Sequence, residues 1–154
     1  MLIKAIRKDF DKAEQFYLKA IEKGIVKAMH NYCLLLLEKN KINEALNQAA
    51  NLFTNANEGY FTLDNSYAIH LVLEFMKYGQ YHFLLKLFRQ TNGLLMKYLQ
   101  PVYYVLAWFM KDELQGEYEK AGGEIKETVD EMIKTVEAGK TLLQSRSIEE
   151  RENP

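Results

Sequence analysis

The stretch that decides the fold is KDFDKAEQFYLKAI, residues Lys8–Ile21. Its apolar side chains recur at steps of three and four residues, as they do along one face of an amphipathic helix. On this face the small residues Ala13 and Ala20 lie on either side of the aromatic residue Tyr17. Small side chains let two helices approach closely, while large ones fill the space around the crossing. The stretch therefore predicts a helix that packs closely against a neighbouring helix.

The same periodicity continues along most of the chain and predicts further helices. The apolar stripes end at or near Gly24, Asn40 and Gly79, residue types that commonly close a helix with a left-handed backbone. Pro101 suits the first turn of a later helix, where its missing N–H costs nothing. The polar residues 54–59 predict a loop. We therefore expect an all-α protein.

The predicted helices fall into pairs of similar pattern. Equivalent positions recur at 32 and 39 residues, from Ala13 to Ala45 and from Ala45 to Leu84. The second-helix pattern is clearest in Ala13, Tyr17 and Ala20, where small residues lie on either side of an aromatic. Two later copies depart from it: one swaps the sizes at its last two positions, and the other is weaker (Ala45, Ala49 and Leu52; Leu84, Phe88 and Thr91). The first-helix pattern is carried by Met29, Tyr32, Cys33 and Leu36, by Ala68, Leu71, Val72 and Phe75, and more weakly by Tyr103, Leu106, Ala107 and Met110.

This pattern resembles the tetratricopeptide repeat family, whose units are about 34 residues long. The residues 19–29 also resemble the Sel-like relatives of that family. The resemblance covers residues 8–138 and is strongest up to residue 52. It implies a TPR-like α-solenoid, a right-handed superhelix of antiparallel helix hairpins with three to four repeats. We expect a repeat domain over residues 1–143, capped by a helix at about 122–143, and a flexible tail over residues 144–154.

The resemblance also implies where a partner would bind, because ligands of this family usually lie on the concave face formed by the first helices. On this chain the corresponding positions are His30, Leu34, Leu37, Ile69, Leu73, Met76, Tyr104, Trp108 and Lys111. Leu34 and Leu73 stand where the chaperone-binding members have asparagine, so that activity is not implied.

The hypothesis is an apolar groove that takes an amphipathic helix or an extended peptide, with Trp108 and Tyr104 as anchors. The alternative is that the same side chains pack against the last helix of the chain itself.

The composition favours a protein partner over a nucleic acid or a membrane. The formal net charge is −1, and the basic cluster Lys4, Arg7, Lys8 and Lys12 has no interleaved aromatic residues to stack on bases. The charge is uneven, however: residues 113–154 carry 11 acidic and 6 basic residues, a net of −5, which leaves +4 for residues 1–112. No segment has the length or composition of a signal peptide or a membrane-spanning helix, which favours a cytoplasmic location.

The sequence offers no constellation that is typical of catalysis. The three histidines, His30, His70 and His82, fall on different predicted helices without the spacing of a metal site. Cys33, the only cysteine, lies in an apolar run without an acidifying motif. We therefore predict a non-catalytic scaffold without metal or cofactor.

Other readings remain open. The protein could be a self-associating module, a homodimer joined through residues 1–8 and the face of Phe10 and Tyr17. It could be the C-terminal part of a larger repeat protein, or thirdly the accessory domain of an enzyme.

Overall fold

A computed structural model of the chain describes the backbone of residues 2–54, 65–91 and 93–152 and the side chains of residues 9–54, 65–91 and 93–146. The chain divides into two compact units, Met1–Glu58 and Gly59–Pro154. Within the described ranges all regular structure is helical, which confirms the all-α prediction, and neighbouring helices pack antiparallel. Of the predicted loop 54–59, residues 55–59 lie outside the described part.

The helices are α1 (Leu2–Glu22), α2 (Val26–Glu38) and α3 (Ile42–Thr54) in the first unit, and α4 (Ser66–Lys77), α5 (Tyr81–Gln90), α6 (Leu94–Tyr98), α7 (Gln100–Phe109) and α8 (Gly123–Glu152) in the second, where a 3₁₀ turn (Tyr118–Lys120) precedes α8.

In the first unit, α2 packs between α1 and α3. The turn after α1 is closed by Gly24, whose φ is 77°. The Gly24 N–H donates to the Ile21 carbonyl at 2.8 Å and the Ile25 N–H donates to the Ala20 carbonyl at 3.2 Å. These two bonds form a Schellman motif, which satisfies the last carbonyls of the helix and reverses the chain. Asn40, with φ of 60°, closes α2 in the same way.

The core of the first unit lies on both sides of α2. Its buried apolar residues include Cys33, Leu36, Leu37, Ala45, Ala49, Leu52 and Phe53. Tyr17 of α1 packs on Tyr32 of α2, with ring centroids 6.2 Å apart. The Tyr32 hydroxyl donates to the Glu14 carboxylate at 2.9 Å. Burial, together with this hydrogen bond, raises the pKa of Tyr32.

In the second unit, Gly79 closes α4 with φ of 75° and turns the chain into α5. Pro101 lies in the first turn of α7, as predicted from its missing N–H. The helix α7 contacts α4, α5 and α6, and α8 contacts both α4 and α7. The second unit therefore includes contacts between helices that are not neighbours along the chain.

The position of α8 is set near its middle by Gly139 and Lys140. The Lys140 Nζ donates to the Tyr81 hydroxyl at 2.6 Å and lies 5.1 Å and 5.3 Å from the ring centroids of Tyr81 and Phe109. These two rings are stacked at 5.3 Å. Gly139 packs so closely on the Lys77 side chain that a Cβ at this position would overlap it. The middle of α8 thus meets the end of α4, the start of α5 and the end of α7 together.

The last helix continues past Leu143 to Glu152, into the residues that were predicted to form a flexible tail. Neither glycine nor proline occurs between Lys140 and Pro154, and several good helix formers do, so local propensity sustains the helix. The predicted domain limits stay a prediction.

None of the helices in the described ranges combines the length and the apolarity that crossing a lipid bilayer requires.

Replacing Gly139 with leucine should destabilise the second unit. Overpacking costs about 1–3 kcal/mol, which the gain of about 1 kcal/mol from removing a helical glycine only partly offsets. We expect Gly139→Leu to lower the thermal midpoint by a few degrees, measured by circular dichroism. The control is Ala138→Leu at the adjacent, exposed position, which should change stability by less than about 0.5 kcal/mol. Equal midpoints for the two variants would contradict this packing.

Cys33 should resist thiol reagents while the protein is folded. It is fully buried, and burial raises the pKa of its thiol to about 12. Because the thiolate is the reactive form, labelling at pH 8 should be roughly 1,000-fold slower in the folded protein than in urea. A Cys33→Ala, Ser145→Cys variant places the thiol at an exposed position and should react as fast folded as unfolded. Rapid labelling of folded wild-type protein would show that this core is open.

Candidate functional site: the aromatic surface of α7

The helix α7 divides its side chains between the core and the surface. Val102, Val105 and Leu106 are fully buried, which fixes the helix against its neighbours. Tyr104 and Trp108 lie one turn apart on a different side of the helix from these residues, and both are half-buried. An aromatic ring that is partly packed and partly accessible offers contact area at little cost in conformational entropy. We use "aromatic surface" below for Tyr103, Tyr104, Trp108 and Tyr118.

Trp108 is held by two neighbours. The ring of Tyr118 meets it edge-on, with centroids 4.9 Å apart and planes at 61°. The Lys111 Nζ lies 3.5 Å from the Trp108 ring centroid, a cation–π contact. These two contacts hold the indole in one orientation.

Tyr118 is in turn anchored to α8. Its hydroxyl donates to the Asp130 carboxylate at 2.6 Å. This hydrogen bond to an anionic acceptor raises the pKa of Tyr118, since the phenolate would lose the bond and face the negative charge. The ring contact between Trp108 and Tyr118 and the hydrogen bond from Tyr118 to Asp130 together link the aromatic surface to the last helix.

The neighbouring tyrosines extend the aromatic surface along α7. The Tyr103 ring packs 5.5 Å from Phe88 and 6.0 Å from Tyr104, and the Gln100 amide donates to the Tyr104 hydroxyl at 3.3 Å. Burial raises the pKa of Tyr103, and the negative charge of Glu117 adds to that shift. The contacts described for this surface are ring packing, the cation–π contact of Lys111 and hydrogen bonds of the tyrosine hydroxyls.

The charges beside the aromatic surface are mostly negative. The loop over residues 111–122, which carries Tyr118, contains four acidic residues and two lysines. One of the lysines, Lys120, is paired with Glu117 at 3.0 Å, and the other lies on Trp108. A partner that combines an apolar side chain with positive charge would therefore complement this surface.

Three residues predicted from the sequence lie together here. Tyr104 and Trp108 are half-buried, and Lys111 is exposed with its ammonium over the Trp108 ring. On α4, Ile69 is half-buried, whereas Leu73 and Met76 are buried, with 9% and 0% of their surface exposed.

Lys77 lies one turn after Leu73 and packs against Gly139 of α8. The last helix therefore lies beside the part of α4 that was predicted to face a partner. This contact favours, for Leu73 and its neighbourhood, the alternative in which the chain packs on its own last helix.

In the first unit, Leu34 is half-buried, while His30 and Leu37 are each only 2% exposed. Buried side chains of this kind contribute to the core, and a partner would reach them only if helices separated. The predicted positions with accessible surface are Leu34, Ile69, Tyr104, Trp108 and Lys111.

Sequence reasoning identified neither Tyr118 nor Asp130 as part of this site. No signal in the periodicity could have found Tyr118, because it lies in a 3₁₀ turn and its contact depends on how the loop folds back. The hydrogen bond between Tyr118 and Asp130 is likewise a tertiary contact, which the periodicity of the sequence does not predict.

Two of the histidines lie near carboxylates: the His70 Nε2 is 3.5 Å from the Glu74 Oε1, and the His82 Nε2 is 3.5 Å from the Glu113 Oε1. Among the residues whose placement is described, no three His, Cys, Asp or Glu side chains are grouped as ligands for a metal ion.

Comparisons of this chain with protein-family models, with curated proteins and with solved structures found no match.

Removing the Tyr118 ring should expose Trp108. Since Trp108 is the only tryptophan, its fluorescence reports this site alone. We expect Tyr118→Ala to increase the acrylamide quenching constant of Trp108 clearly, whereas Tyr67→Ala, which removes a ring that is 47% exposed on α4, should leave it unchanged. Equal quenching in both variants would contradict the edge-on contact.

Proposed function

We propose that this chain is a non-catalytic, TPR-like scaffold that binds a protein partner through the aromatic surface of α7. The ligand is an amphipathic segment, a helix or an extended peptide, that presents an apolar side chain to Trp108 and Tyr104. The observation that carries the proposal is the arrangement of Trp108, which is half-buried and oriented by Tyr118 and Lys111. Tryptophan, tyrosine and arginine dominate the residues that contribute most to binding energy in protein interfaces.

The repeat pattern and the helix packing support the scaffold part of this proposal. The predicted first and second helices of two pairs correspond to α2 with α3 and α4 with α5, each joined by a short left-handed turn. Helix hairpins of this kind are the units from which α-solenoids are built. The superhelical arrangement of these pairs and the resemblance to the tetratricopeptide family are part of the proposal.

The proposed partner carries positive charge next to its apolar anchor. The acidic loop beside Tyr118 attracts such a segment, and one of its cationic groups can take the place of Lys111 over the Trp108 ring. Charge complementarity at the rim of an interface contributes mainly to association rate and specificity. The anchor contacts on Trp108 and Tyr104 supply most of the affinity.

Affinity capture with three forms of the protein tests the proposal. The forms are the wild type, Trp108→Ala and the control Tyr67→Ala, each first shown to be folded by circular dichroism. We expect a partner that is recovered by the wild type and the control but lost with Trp108→Ala. For the purified partner, loss of an anchor tryptophan should cost about 2 kcal/mol or more, which is roughly a 30-fold rise in Kd.

Binding of that purified partner should also change the emission of Trp108 in the wild-type protein. Recovery of the same partner at the same level by folded Trp108→Ala would rule out this surface as the binding site.

A further inference from the structure

The ammonium group of Lys111 lies over a face of the Trp108 indole. Its Nζ is 3.5 Å from the ring centroid, and a group at that distance in the plane of the ring would overlap the ring atoms themselves. The Tyr118 ring has its centroid 4.9 Å away and its plane at 61° to the indole, so it contacts a different part of Trp108. Lys111 therefore covers a face of the indole that Tyr118 does not occupy.

The two side chains that touch Trp108 differ in how easily they move away. The Tyr118 hydroxyl donates to the Asp130 carboxylate at 2.6 Å, which ties this ring to α8. Lys111 is exposed, and within the described part of the chain no ion pair involves its ammonium. A cation–π contact at an exposed site favours the bound lysine over the released one only about two- to five-fold. A ligand that reaches this face of Trp108 therefore displaces Lys111 and leaves Tyr118 in place.

The contact made by Lys111 indicates which chemical group this face accepts. The loop over residues 111–122 contains four acidic residues, and the lysine nevertheless lies on the indole. The negative face of an aromatic ring attracts a cation. A purely apolar side chain would have to replace the lysine without restoring that electrostatic attraction. The face under Lys111 therefore favours a cationic group of the ligand.

Negative charge beside Tyr118 adds to this preference. The hydrogen bond to Asp130 raises the pKa of Tyr118, and the negative charge of Glu119 contributes to the same shift. Both carboxylates therefore lie close to the Tyr118 side chain. Among the residues that the structure describes, neither carboxylate forms an ion pair. A cation bound on Trp108 would meet negative charge that no lysine or arginine of the described chain has paired.

We propose that the face of Trp108 under Lys111 is a subsite for an arginine side chain of the protein partner, and that Lys111 occupies it in the free protein. Arginine suits this face better than lysine, because its planar guanidinium stacks on aromatic rings and is more weakly hydrated than an ammonium. It can therefore compete with a lysine that is already tethered beside the ring. The N–H groups at the edge of the guanidinium remain available to a carboxylate beside Tyr118.

This inference rests on the proposed function and names the side chain that the partner places on Trp108. The apolar side chain of the same segment then packs on Tyr104, one turn earlier along α7. Lys111 acquires a regulatory role, because a site that is open only part of the time binds its ligand with a correspondingly lower apparent affinity.

Peptides selected on the full chain test the inference. Random peptides displayed on phage are selected on the wild-type protein, and those that folded Trp108→Ala also captures are discarded. The remaining peptides are synthesised, and their Kd is measured from the emission of Trp108, the only tryptophan. We expect an arginine in these peptides whose replacement by citrulline, a neutral group of the same shape, raises Kd about tenfold. Replacement of the same arginine by lysine should raise Kd less.

Removing the internal competitor should have the opposite effect. We expect Lys111→Ala to lower the Kd of an arginine peptide about three- to six-fold. The control Lys120→Ala makes the same change of charge in the same loop, but its ammonium pairs with Glu117 at 3.0 Å. It should change Kd less than about twofold at about 0.15 M salt. Equal gains in the two variants would reveal a general effect of charge, and a weaker binding by Lys111→Ala would show that the lysine supports the ligand; either result would overturn the inference.

The outcomes of the selection separate this inference from the proposed function. Peptides that need Trp108 but bind equally well with citrulline would overturn the arginine subsite and leave partner binding at the aromatic surface intact. A selection in which folded Trp108→Ala captures every binder as well as the wild type does would contradict both.

Discussion

The fold depends on a backbone conformation that most residues avoid. A helix that reverses within two or three residues needs a left-handed residue after its last turn, and glycine or asparagine adopts this conformation at little cost. Gly24, Asn40 and Gly79 take it at the ends of α1, α2 and α4. Each reversal places the next helix directly alongside the previous one, so the apolar stripes of the two helices face each other. The cores of both units form where these short connections bring the apolar stripes together.

The second unit adds a constraint that the hairpins alone do not supply. The helix α8 touches α4 and α7 at once, and Lys140 bridges the rings of Tyr81 and Phe109 from two of the shorter helices. Because α7 is held by its buried valines and by this crossing helix, its remaining aromatic side chains cannot all turn inward. The aromatic surface around Trp108 is thus a product of the same packing that stabilises the unit.

Local features of the sequence predicted the helices, the residues that close them and the buried stripes, because each depends on neighbours within about one helical turn. The candidate site was predicted only in part. Trp108, Tyr104 and Lys111 have accessible surface, but the spacing of Leu73 and Met76 could not reveal that both would be buried. Nor could it reveal that α8 would pack on Lys77, one turn after Leu73. The contact of Trp108 with Tyr118 could not be predicted from the sequence either, because it joins a helix to an irregular loop. Such contacts depend on which elements meet in space, and periodicity carries no information about that.

The single thiol of the chain has a practical consequence. Cys33 lies in the interior of the first unit with no accessible surface. The native protein therefore offers no accessible thiol to maleimide or disulfide reagents. A cysteine introduced at any exposed position would be the sole attachment point for a dye or a spin label. Distances between pairs of such labels could then be measured in the otherwise unaltered protein, including across the boundary of its two units.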